Sequence, residues 1–127
     1  MGGVRADRGA AAVEFALVCV LLVMLLVGIV EFGRAYSAQL AVTHAAREGA
    51  RAAAVGHFDA AYVRQQAMPL NPAFVTVGQS QGVDPSGDAF VQVTVSYPLT
   101  IALVDNNWAR TARVIQLRSS AKMRAEF

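Results

Sequence analysis

Hydrophobic residues are unevenly distributed along this chain. Residues 15–30, FALVCVLLVMLLVGIV, carry no charge and are fenced by Glu14 and Glu31. Extended back to residue 10, the stretch has twenty-one residues with Glu14 as its one charge. As a helix it spans roughly 31 Å, about the hydrocarbon thickness of a bilayer. A helix that is apolar all round needs lipid or a large protein about it, and the rest of the chain is too small to wrap it. A transmembrane helix is therefore predicted over residues 10–30, with membrane lipid as its surroundings. A cleaved secretory signal is the competing reading, because Arg5 and Arg8 form a basic start. No small-residue cleavage site follows the run, which continues as GIVEFGRAY, so the segment is read as retained.

Helical spacing persists beyond the span. Glu31 and Arg34 stand three residues apart, as do Glu48 and Arg51, and small residues recur at Ala45, Gly49 and Ala53. No proline precedes Pro69. One continuous helix over residues 10–54 is predicted, roughly 65 Å long, half in lipid and half outside. Gly28 and Gly33 are its expected points of bending or melting, since glycine costs a helix about 1 kcal/mol relative to alanine. Gly56 is expected to end it, and residues 58–68 to add a short helix stopped by Pro69 and Pro72.

The pattern then changes to a period of two. A short strand is predicted over 74–77, and GVDPSGD at 82–88 reads as turn chemistry. Val91, Val93, Val95 and Tyr97 alternate with Gln92, Thr94 and Ser96, a half-buried strand that Pro98 should close. Residues 101–108 read as irregular, with Asn106-Asn107 a turn. Ile115, Leu117, Ser119, Ala121 and Met123 then alternate with polar residues in a further strand. The expected fold class is α+β: a long N-terminal helix packed on a small antiparallel sheet. The small outer region lacks a core of its own. Its sheet face should pack on the outer half of the helix, along Ala38, Ala41, Val42, Ala45, Gly49 and Ala53.

With 127 residues, one domain is expected. The chain is 55% hydrophobic and 16% charged, which excludes disorder. A single cysteine, Cys19, excludes an intramolecular disulfide and a thiolate zinc cluster, and is read as inert packing. His44 and His57 have no acid or cysteine at metal spacing and read as solvated surface residues. A net charge of +2 is too small to imply nucleic acid. Residues 110–127 hold five positive charges against Glu126, either a solvated strand face or a contact for anionic headgroups or an acidic partner. Trp108 reads as a core or interface anchor. There is no nucleophile–base order, phosphate loop, paired catalytic acids or dinucleotide fingerprint. No catalytic residue, cofactor, metal or small-molecule substrate is expected.

The N-terminus is the most specific part of the sequence. A short polar leader ends in Gly9; the small Ala10 follows, and four residues later the lone carboxylate Glu14 precedes Phe15 at the mouth of the apolar run. This start looks like that of a type IV prepilin, cut after the glycine by a membrane peptidase on the cytoplasmic side. The longer stretch 8–51 closely resembles the TadE-like family, through Gly9, Glu14-Phe15, Glu31-Phe32-Gly33-Arg34 and Ala46-Arg47-Glu48 at family-like spacing. Unlike many relatives, the chain has no proline near Val20. The resemblance implies a minor pilin (pseudopilin) of the tight-adherence, Flp-type pilus assembly system, with a type IV pilin-like fold. It implies a leader at 1–9, a transmembrane helix at 10–30, an extracytoplasmic continuation at 31–55 and a small α+β region at 56–127. Implied partners are the prepilin peptidase, a TadF-like minor pilin, the major Flp-type pilin and the inner-membrane assembly platform. The implied location is the bacterial inner membrane, with the N-terminus cytoplasmic.

Individual residues leave alternatives open. A carboxylate within a bilayer costs several kcal/mol, less near its edge. Glu14 lies about 6 Å along the helix from Ala10. It either pairs with the new amine at Ala10 of a neighbouring subunit, setting axial register, or is a first-turn acid favoured by the helix dipole. Ala45, Gly49 and Ala53 either permit close helix packing or accept the sheet. As a whole, the chain also admits a second reading: an uncut, single-pass envelope protein whose outer domain binds a ligand or scaffolds a complex.

Overall fold

A computed structural model describes residues 3–101 and 114–126. The first element, α1 (Gly3–Ala54), is a single helix of 52 residues. It starts earlier than the predicted residue 10, because Val4, Ala6 and Arg8 are compatible with helix and propagation costs little once a turn exists. It passes without interruption through Gly28 and Gly33, where bending or melting was expected, so the helix does not melt there. Gly56, at φ 77°, takes the left-handed conformation just past the helix end, and its N–H donates to the Ala53 carbonyl at 3.1 Å.

The second helix, α2 (Ala60–Gln66), is shorter than the 58–68 predicted. Asp59 caps it instead, its carboxylate accepting from the Ala61 N–H at 2.8 Å. Residues Pro72–Phe74 form one 3-10 turn, capped by Asn71 accepting from the Ala73 N–H at 3.0 Å, so the strand expected at 74–77 begins later.

Three strands follow: β1 (Thr76–Val83), β2 (Ala89–Thr100) and β3 (Val114–Arg124). They pair antiparallel in the order β1-β2-β3. Gly82 and Val83, expected in the turn, belong to β1; the turn is confined to 84–88, where the Asp84 N–H donates to the Asp88 carbonyl at 2.8 Å. Pro98 does not close β2, which continues to Thr100 opposite Val114. Beyond Ser96, where β1 stops, β2 has a neighbour only in β3. A strand with one side unpaired tolerates proline. The turn expected at Asn106-Asn107 and the anchor expected at Trp108 lie outside the described residues.

The core is built from small side chains. Val42, Ala45, Ala46, Ala50 and Ala53 of α1 meet Val63 of α2, Ala67 at its C-cap, and Val91, Val93 and Val95 of β2. The predicted stripe is therefore buried, and it is wider than predicted. Ala46, Ala50 and Ala54 are buried as well, because α2 packs along a second flank of α1. Tyr97 is half-buried and Leu99 buried, whereas Ile115 and Met123, expected in the core, are 44% and 36% exposed. Both lie toward the ends of β3, an edge strand.

Gly49 sits at the centre of this packing. A Cβ built there would lie 2.9 Å from Val63 Cγ2 and 3.0 Å from Val93 Cγ1. Helix, sheet and α2 thus converge on a position with no room for a side chain. Residues 31–127 should accordingly unfold cooperatively in urea, followed by circular dichroism, and residues 56–127 alone should not. Gly49→Leu should destabilise the longer fragment by about 1–3 kcal/mol through overpacking. Equal, cooperative stability of the shorter fragment would show that α1 is not part of the core.

Candidate functional site: the exposed half of the long helix

The two halves of α1 have opposite surroundings. From Ala38 to Ala54 its inner face is covered by the sheet and α2. Before residue 31 none of the other described elements covers it. Phe15, Leu17, Leu21, Leu25 and Ile29 are each more than half exposed. An 18-residue window there has mean hydropathy 3.0, and none of it is buried. Transferring one such side chain out of water is worth about 1.5–3 kcal/mol, so this surface demands an apolar medium. The helix is long and apolar enough to cross a membrane and fits a single-pass anchor.

Gly9 and Ala10 lie within α1, both exposed, with open space where a Cβ at Gly9 would stand. Any protein that cuts the bond between them must first open that turn, which glycine eases by about 1 kcal/mol. Glu14 and Phe15 follow on the exposed helix. Among the described residues Glu14 makes no ion pair as its carboxylate enters the apolar zone. Arg8, one and two-thirds turns earlier, is also exposed.

At the outer end of the apolar run, Arg34 Nη1 donates to Glu31 Oε1 at 2.8 Å, and the Glu31 side chain is only 12% exposed. The pair neutralises the first acid beyond the span. No matching pair joins Glu48 and Arg51 among the described residues; both line a shallow depression with Val55, His57 and Tyr62. Ala45, Gly49 and Ala53 face the chain's own α2 and sheet. Cys19 is half-buried on the apolar helix, and His44 and His57 are exposed. No group of metal-ligating side chains occurs among the described residues.

A second cluster was not legible in the sequence. Phe90 lies across Gly82, its cross-strand partner, so that a Cβ on Gly82 would come within 2.6 Å of the ring. The Lys122 ammonium sits 3.8 Å from the centre of the same ring and pairs with Asp84. Arg124 pairs with Asp88 at 2.8 Å. Two of the C-terminal cations are thus compensated by the β1–β2 turn. That turn is at the far end of the sheet from the apolar span, because α1 runs antiparallel to β2. Ala38 lies by Tyr97 and Leu99, Gly49 by Val93, and the Glu126 N–H donates to the Ala54 carbonyl at 3.0 Å. Ala54 is about 36 Å along the helix from residue 30, so a bilayer spanned by residues 10–30 would have its headgroups far from Lys122 and Arg124. Only the cross-strand proximity of Gly82 and Phe90 carried a sequence signal, and the register that reveals it was unknown.

Replacing Glu14 by glutamine should leave membrane insertion intact or improve it, by up to about 2–3 kcal/mol, since a charge near the bilayer edge is removed. Insertion assays on the paired variants check this; weaker insertion of Glu14→Gln would mean that the carboxylate is solvated rather than embedded.

Residues 9–51 match the family described as TadE-like protein. The match begins at Gly9, spans the apolar helix and its sheet-covered continuation, and ends before α2. The match covers 43 of the 127 residues and is a likeness over that segment. No curated protein matches the chain, and no solved structure does either.

Proposed function

We propose that the protein is a non-enzymatic minor pilin, a pseudopilin that takes part in assembling a tight-adherence pilus. The observation that carries this reading is the TadE-like match over 9–51, laid on an exposed apolar helix that contains the carboxylate of Glu14. In this reading residues 1–9 are a cytoplasmic leader, removed by a prepilin peptidase between Gly9 and Ala10. Residues 10–30 anchor the chain in the inner membrane, and the sheet domain faces away from the cytoplasm. The α-amine freed at Ala10 pairs with Glu14 of a neighbouring subunit. That exchange relieves a carboxylate in a low-dielectric zone and fixes one axial register, while Phe15 packs beside it. The partners are then the peptidase, a TadF-like minor pilin, the major pilin and the assembly platform.

Intact mass of the protein from cells with and without the peptidase tests the processing step. The expected mature chain starts at Ala10, and bulky substitutions at Gly9 block its formation. A chain still starting at Met1 in a peptidase-positive host would overturn the pilin reading and favour an uncut anchored envelope protein. Orientation is tested separately. A reporter fused after Phe127 should be active only in its extracytoplasmic form, and cytoplasmic activity would exclude both readings.

A further inference from the structure

Charge is segregated along the outer domain. Asp84, Asp88, Lys122, Arg124 and Glu126 gather at the end far from the apolar span. The opposite end is built from segments 65–75, 96–101 and 114–117, none of which contains a charged residue. The register sets the last two side by side, with Leu99 opposite Ile115. From Val63, beside Gly49, α2 runs back along α1 toward the span. The chain after it reaches the level of Gly33–Ala38, where Pro69, Leu70 and Asn71 line a shallow depression with Arg34 and Tyr97. Thr76 then pairs with Ser96, which puts Phe74 at the same end.

This uncharged rim exposes large apolar side chains. Phe32, Tyr36, Met68 and Phe74 are each more than half exposed, and Val114 and Ile115 about half. Such a patch marks a contact surface. Through Phe32 and Tyr36 the rim is continuous with the exposed span of α1, so the medium that covers the span lies beside it. Gly33–Ala38 stand about 4–12 Å along the helix beyond residue 30. The headgroup layer of a bilayer is roughly 5–8 Å deep on each side. A helix tilt of about 20° lowers a loop about 10 Å from the helix axis by roughly another 3 Å. Among the described residues, the charges nearest the rim are the Glu31–Arg34 pair and the cations Arg64 and Arg118. Arg64 donates to the Val75 carbonyl at 3.3 Å, and Arg118 stands opposite Ser96. Lipid phosphates lying against that level meet cations.

We infer that the loop from Met68 to Phe74 and the adjoining ends of β2 and β3 rest in the headgroup layer of the bilayer that α1 spans. This is a second membrane contact, made by the folded domain itself. One helix leaves the domain free to tilt and to turn about the helix axis; a contact beside the helix fixes both. The inference rests on the single-pass anchor and not on the pilus assignment.

Spin-label accessibility tests it, with the full chain at one copy per nanodisc of phosphatidylethanolamine and phosphatidylglycerol. The native Cys19 carries the label in one sample. In the others Cys19→Ser removes that site, and the label sits on Met68→Cys, Phe74→Cys or, at the charged end, Val83→Cys, all three at exposed positions. A polar nickel chelate in solution should reach the Met68 and Phe74 labels about threefold less than the Val83 label, since it is depleted where water is excluded. Nickel chelated on lipid headgroups should relax the Met68 and Phe74 labels strongly and leave the Val83 label unaffected. Equal access of soluble nickel to all three positions would overturn the inference. Shielding at Met68 and Phe74 without relaxation by headgroup nickel would also overturn it, because protein rather than lipid would then cover the rim. A Cys19 label outside the hydrocarbon would overturn the anchor and this contact together, whereas an embedded Cys19 with water-exposed Met68 and Phe74 overturns the contact alone.

Discussion

Gly49 lies between Val63 and Val93 with no space for a β-carbon, and the rest of the outer domain is arranged round that approach. Alanines continue the low surface at Ala45, Ala46, Ala50 and Ala53, and the largest side chains that are fully buried are valines. Such a core is thin. It offers few large apolar groups, so close contact over a long helix has to replace bulk. The sheet alone has only one covered face, and α2 has only seven residues. Both depend on α1 for burial. The element that anchors the chain is thus also the spine of its folded domain.

That double use fixes orientation. The helix leaves the sheet near Leu99 and enters the apolar zone without a break, so strand direction is tied to the membrane normal. The β1–β2 turn, with its two ion pairs to Lys122 and Arg124, becomes the membrane-distal tip. The Glu31–Arg34 pair marks the boundary at the other end. Whatever meets the domain laterally does so with its strands already aligned.

Much of this was legible in the sequence because strong periodic signals have few readings. An uncharged run fenced by Glu14 and Glu31, small residues at helical spacing, and the alternation of Val91, Val93 and Val95 each point to one structure. The weaker elements were misjudged where tertiary partners decide. Thr76–Val83 reads as polar and glycine-rich, and only pairing with β2 makes it a strand; Phe90 lying over Gly82 covers the gap that glycine leaves. Pro98 reads as a stop, yet it stands where β1 has already ended. The width of the α1 contact depended on the seat of α2, which no local pattern encodes. The candidate residues Gly9, Ala10, Glu14 and Phe15 stand out in the sequence because a carboxylate in an apolar helix is conspicuous. That the helix extends back to Gly3 and takes in Gly9 and Ala10 was not legible there.

The central claim is that one unbroken helix joins membrane anchor and folded domain. Cys19 is the chain's only cysteine, so spin labels on Cys19 and on Arg51→Cys report the helix directly, with the full chain in lipid bilayers. Thirty-two residues of continuous helix separate these positions by about 48 Å. Electron–electron double resonance should give a single narrow distance distribution near that value. A broad distribution, or a distance well below it, would mean that the helix breaks at Gly28 or Gly33, and the account of a shared anchor and spine would fail.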